Sequence, residues 1–163
     1  MKKSLQKVQN QGFTLIEILI VIGIIAILAA IVLVAINPAR QFRQANNTQR
    51  SSNVNAILNA IGQYSVDNKG DLSGLDITSS STEISSSGAD ICDDLVPKYI
   101  PALPTDPDDT TNHGASTDCS GSYRTSYNVE TGTGSSTGRI TVSAPNTVDI
   151  DPPTVTPDIE VTR

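Results

Sequence analysis

The chain has 163 residues and a formal net charge of −6, enough length for one modest domain. With 17 acids against 11 bases and 4% aromatic residues it offers no nucleic-acid surface, and two cysteines with one histidine are too few for a Cys/His zinc centre. The averages hide a division: residues 13–36 are almost wholly apolar, whereas residues 65–163 are rich in Ser, Thr, Asp, Gly and Pro.

Charge follows the same division. Lys2, Lys3 and Lys7 make the first twelve residues a basic, polar leader that closes on Gly12. Arg40, Arg43 and Arg50 place a second basic block just after the apolar run. From residue 65 onward 16 acids stand against 5 bases, which reads as a solvated exterior domain.

The apolar run, residues 13–36, would form a helix about 36 Å long at roughly 1.5 Å per residue. That crosses a hydrocarbon core of about 30 Å. A secretory signal peptide has a shorter apolar region, about 7–15 residues, ending in a small-residue cleavage site. This run instead continues into Asn37-Pro38 with no such site. One acid, Glu17, lies inside it. A carboxylate deep in a bilayer costs about 2.5–3.5 kcal/mol on insertion scales, so Glu17 either reaches the interface or has a partner.

The string Gly12-Phe13-Thr14-Leu15-Ile16-Glu17, followed by an aliphatic helix, resembles the processing signature of type IV prepilins and type II secretion pseudopilins. The resemblance covers residues 1 to about 36. It implies that a membrane-embedded prepilin peptidase cuts between Gly12 and Phe13, that Phe13 is then N-methylated, and that Glu17 is needed for assembly. It implies further partners: copies of the chain and related pilins, a membrane assembly platform with a cytoplasmic ATPase, and the lipid bilayer before assembly. Cutting would remove three lysines and no acids, leaving 8 bases and 17 acids. The expected location is the cytoplasmic (inner) membrane, single-pass with the N-terminus inside, and then an extracellular or periplasmic filament.

Beyond the span, Asn37 precedes proline and is biased away from helix, so a bend or weak helical stretch is expected over residues 36–38. Phe42, Ala45, Val54, Ile57, Leu58, Ile61 and Tyr64 then recur at three-to-four spacing, which predicts an amphipathic helix to about residue 66. Residues 67–104 read as a flexible connection, with several glycines, two serine triplets and a short helical turn followed by extended chain from residue 91. Within it and just beyond, the pairs Leu103-Pro104 and Asp106-Pro107 resemble a stretch of pseudopilins and related pilins that leads into the sheet. Strands are expected at residues 123–129, 139–144 and 154–161, the first two joined by a glycine-rich hairpin at 130–138. Pro157 marks the third as an edge strand or extended tail. The expected fold is α+β and pilin-like. A long N-terminal helix spans the membrane in its first half, and its amphipathic second half packs on a small antiparallel sheet in the region 105–163.

Cys92 and Cys119 read as one disulfide in an exported domain, or as two free thiols in a reducing compartment. Asp106, Asp108, Asp109 and Asp118 are weak calcium candidates, or else a solvated acidic loop. The EF-hand pattern fails, because Thr111 stands where glycine is needed and Thr117 where glutamate is needed. No other cofactor is expected. His113 has no motif-level nucleophile beside it and no phosphate-binding glycine loop is present, so the chain reads as non-enzymatic. Two alternatives to a pilus subunit remain open: a pseudopilin of a secretion system, and a single-pass anchored surface protein that never polymerises.

Overall fold

A computed structural model describes residues 12–109, 116–133, 138–147 and 159–163. The chain forms two compact units, divided after Gln41.

The first unit is dominated by one helix, α1 (Leu15–Ile36), which is apolar around its whole circumference. None of its residues is buried, and every large aliphatic side chain on it exposes 50% or more of its surface. It ends at Asn37, whose φ of 46° and ψ of 80° are left-handed, a conformation that Asn tolerates better than most residues. Pro38 opens the next helix, α2 (Pro38–Asp67), at the position where its missing N–H removes no hydrogen bond. The Asn37 carbonyl and side-chain oxygen both accept from Arg40 N–H, at 3.1 and 3.4 Å. The break expected over residues 36–38 is thus a single left-handed residue that closes one helix and caps the next.

In the second unit α2 turns a stripe of Val54, Ile57, Leu58, Ala60 and Ile61 into the core. It meets a four-stranded antiparallel sheet in the order β1 (Thr82–Ser85), β2 (Arg124–Thr131), β3 (Ile140–Ala144), β4 (Ile159–Thr162). Alternation decides which side chains face the core: Ile140, Val142 and Ala144 are buried, while Thr141 and Ser143 are half-exposed. Tyr127 and Val129 of β2 and Ile84 of β1 join the same cluster. β4 lies at the sheet edge, paired only through β3, as the third strand candidate anticipated. The part of that candidate at residues 154–158 lies outside the described residues.

The connection from residue 67 holds more regular structure than expected. Lys69 (φ 58°) and Gly70 (φ 88°) turn the chain off α2, with Gly70 N–H donating 2.7 Å to the Ser65 carbonyl. Leu75 is buried, and β1 follows within the serine-rich stretch. The turn from Ser85 to Ala89 is tight enough that a Cβ on Gly88 would collide with the Glu83 carbonyl. A single turn of helix, α3 (Cys92–Leu95), buries Cys92 and Leu95. Asp94 on it is half-buried, and burial, with Asp93 and Asp90 nearby, pushes its carboxyl above the usual range. Just beyond α3, Tyr99 and Lys98 both reach Asp67 at 3.0 Å, and Tyr99 packs edge-on against Tyr64, tying the end of α2 to this segment.

Cys92 and Cys119 are joined by a disulfide across 27 residues, with Cα atoms 5.5 Å apart. It staples α3 to the chain leading into β2. Closing a loop of this size stabilises by about 3.5 kcal/mol in the chain-entropy description. Replacing both cysteines by serine is expected to lower the unfolding free energy of the detergent-solubilised chain by about that amount, read by urea titration of tyrosine fluorescence. An unchanged midpoint would contradict the assignment.

Candidate functional site at the start of the apolar helix

Gly12 and Phe13 lie in irregular chain directly before α1, and Phe13 is 84% exposed. A Cβ on Gly12 would meet nothing within 4 Å. Thr14 follows in extended conformation and caps α1.

The cap is reciprocal. Glu17 N–H donates to Thr14 Oγ1 at 3.3 Å, satisfying one of the four amides that a helix start leaves without a partner. In return Thr14 N–H and Thr14 Oγ1–H both donate to Glu17 Oε2, at 2.9 and 2.8 Å. This is a capping box, and it also places an anion in the first turn, where the helix dipole favours it. Glu17 is therefore held within its own chain. Thr14 is the residue that reading the apolar run alone passes over, although a Thr followed three residues later by Glu is itself the sequence signal for such a cap.

The four acidic calcium candidates have other partners. Asp106 is 3% exposed, and its two oxygens accept from Arg50 Nε at 2.8 Å and Nη2 at 2.9 Å. Asp108 accepts from Arg50 Nη2 at 2.7 Å and from Asn46 Nδ2 at 2.6 Å. Asp109 accepts from the Ser126 hydroxyl at 2.9 Å. Asp118 accepts from the hydroxyl and amide of Ser120, which hold its carboxyl below the usual range. Among the described residues no group of three or more His, Cys, Asp or Glu side chains is disposed to hold a metal ion. His113 lies outside the described residues.

Arg50 was legible only as part of a basic block, yet it is fully buried on the core face of α2, one turn before Val54. Its fork-to-fork pair with Asp106 joins α2 to the segment that enters the sheet, and Asn47 accepts a further bond from it at 2.9 Å. Asp106 holds the guanidinium pKa above its ordinary value, against burial. The pair is structural.

An uncovered apolar helix set before a helix-backed antiparallel sheet is pilin-like architecture. Residues 8–33 match the family model of the prokaryotic N-terminal methylation motif, the signature of type IV pilins and pseudopilins. Searches of curated proteins and of solved structures return no match to the chain. The matched residues include Gly12, Phe13, Thr14 and Glu17 and end inside α1, which supports a type IV pilin-like or pseudopilin precursor. The motif implies processing by a prepilin peptidase and points to a structural protein rather than an enzyme. The single membrane-length helix found among the described residues, near the N-terminus, fits a membrane-anchored pilin.

Removing one partner of a buried ion pair leaves an uncompensated charge and costs about 3–5 kcal/mol. Arg50→Ala is expected to destabilise the second unit on that scale, read by the tyrosine-fluorescence urea midpoint. The apolar double variant R50M/D106L is expected to lose less than R50A. A single variant as stable as the parent chain would contradict the structural role.

Proposed function

We propose that this chain is the structural subunit of a type IV pilus-like surface filament, polymerised through α1 after cleavage between Gly12 and Phe13. The observation that carries the reading is α1 itself: a helix of 22 residues with no buried side chain and one carboxylate in its first turn. In a membrane, lipid covers that surface. In a filament, the α1 helices of other copies cover it.

Hydrolysis of the Gly12–Phe13 peptide bond creates a carboxylate on Gly12 and a free amine on Phe13, and an α-amine ordinarily titrates near pH ~8. Methylation leaves an amine that can still be protonated. Each processed subunit then offers one cation at its first residue and one anion at Glu17. Pairing the amine of one copy with the carboxylate of another neutralises both in apolar surroundings, where an unpaired charge is costly. That pairing sets the axial register, and the aliphatic side chains supply the bulk of the cohesion.

Before assembly the N-terminus lies on the cytoplasmic side, an orientation that rests on the motif and the disulfide, because Arg40, Arg43 and Arg50 balance the three leader lysines across the span. A disulfide in the second unit supports an oxidising exterior for the head. A membrane platform driven by a cytoplasmic ATPase would extract the helix from lipid. The second reading is the pseudopilin of a secretion machine, since the Leu103-Pro104 and Asp106-Pro107 pairs resemble a stretch of pseudopilins and related pilins alike. Long surface fibres, as opposed to short envelope-confined ones, separate the two.

Glu17→Ala is expected to leave membrane insertion intact and to reduce filament yield at least tenfold, because the amine of each incoming copy then has no counter-ion. The measurement is sheared-filament yield against total membrane-held subunit. Normal yield from Glu17→Ala would overturn the register role.

A further inference from the structure

We propose that Thr14 is a positioning residue for assembly: it fixes Glu17 through one carboxylate oxygen and leaves the other to receive the amine of a second copy. The inference rests on the reading that Glu17 pairs with the Phe13 amine of another subunit.

The geometry divides the carboxylate in two. Both Thr14 donors, the amide and the hydroxyl, converge on Glu17 Oε2, at 2.9 and 2.8 Å. Among the described residues Oε1 accepts no hydrogen bond. A carboxylate has about four lone-pair sites, so occupation of Oε2 leaves the anion able to take a second, charged donor.

Three features make Thr14 suited to the task. Its bonds to Glu17 use an amide and a hydroxyl that cleavage of the Gly12–Phe13 bond does not touch, so the same arrangement serves the precursor and the processed chain. Its hydroxyl accepts from Glu17 N–H while it donates to Oε2, so the cap that starts α1 also holds the hydroxyl in place. And it restrains a long, flexible acid before any partner arrives. Ordering a flexible side chain is one of the costs of association, and a group fixed in advance binds its partner with less loss. Thr14 touches neither the amine nor the scissile bond. It acts through Glu17.

A plain helix cap needs only an acceptor at this position, whereas positioning Glu17 also needs a donor. Three substitutions separate the roles. Thr14→Ser keeps acceptor and donor. Thr14→Val has nearly the same shape and loses both side-chain roles, keeping only the backbone amide that donates to Oε2. Thr14→Asp keeps the acceptor, and so the cap, but its side chain presents no donor to Oε2. In cells expressing the full chain, the readouts are the fraction cleaved and methylated by intact mass, the fraction held in the membrane, and filament yield per processed subunit.

Thr14→Ser is expected to assemble as the parent chain does. Thr14→Val and Thr14→Asp are expected to be cut, methylated and inserted normally, and to lose about tenfold in filament yield per processed subunit. Filament yield from Thr14→Val within twofold of the parent overturns the inference. So does a Thr14→Asp chain that assembles normally, because capping alone would then be the role. A Thr14→Val chain that stays uncut also overturns it, because the defect would then lie in cleavage. Glu17→Ala measured beside these distinguishes the two levels: normal assembly of Glu17→Ala sinks the underlying reading, whereas a defective Glu17→Ala beside a normal Thr14→Val sinks only the role of Thr14.

Discussion

A helix of aliphatic residues that covers none of itself has to be covered by something else. From Leu15 to Ile36 each large side chain leaves half or more of its surface open. Burying one such side chain is worth about 1.5–3 kcal/mol, while a whole domain is stable by only about 5–15 kcal/mol. The sum over α1 exceeds what the rest of the chain could offset in water. Lipid and the helices of other copies are the two environments that relieve it, and moving between them changes little apolar area. An assembly built this way needs a directional element to choose one packing among many, because aliphatic surfaces slide past each other with little preference. In the proposed filament, the lone acid in the first turn supplies that direction.

The second unit is built on different chemistry. Its core joins aliphatic residues of α2 and of the connecting segment, Ile91, Leu95 and Leu103 among them, to a four-stranded sheet. Two covalent or charged ties reinforce it. The Cys92–Cys119 disulfide fastens the single-turn helix α3, and Arg50 clamps Asp106 from the core face of α2. Both ties lie on segments that leave or enter the sheet, where backbone pairing is sparse. The acidic residues that remain exposed keep this unit hydrated, in keeping with a body that stays outside the membrane.

Much of this was legible in the sequence, for identifiable reasons. The span, the break at Asn37, the amphipathic stripe of α2 and the alternation of β3 rest on periodicity or on proline, which act locally. β1 was not legible, because Thr82-Glu83-Ile84-Ser85 carries one apolar residue in a serine-rich setting and is a strand only by pairing with β2. Arg50 was not legible as a buried residue, since its partner Asp106 is 56 positions away and a charge on an apolar stripe reads as its edge. At the start of α1 the acid was plain, whereas its intrachain partner Thr14 reads in the sequence as one more residue of the apolar run. The conformations of Lys69 and of Ser126, a positive-φ residue inside β2, follow from tertiary placement and have no local signature.

Everything proposed for α1 begins with a new N-terminus, and intact-mass measurement of the chain extracted from its own membranes tests that most directly. The expected species starts at Phe13 and carries one added methyl group on its terminal nitrogen. A chain that still starts at Met1 would contradict the proposal, and would mark this protein as an anchored one that keeps its leader.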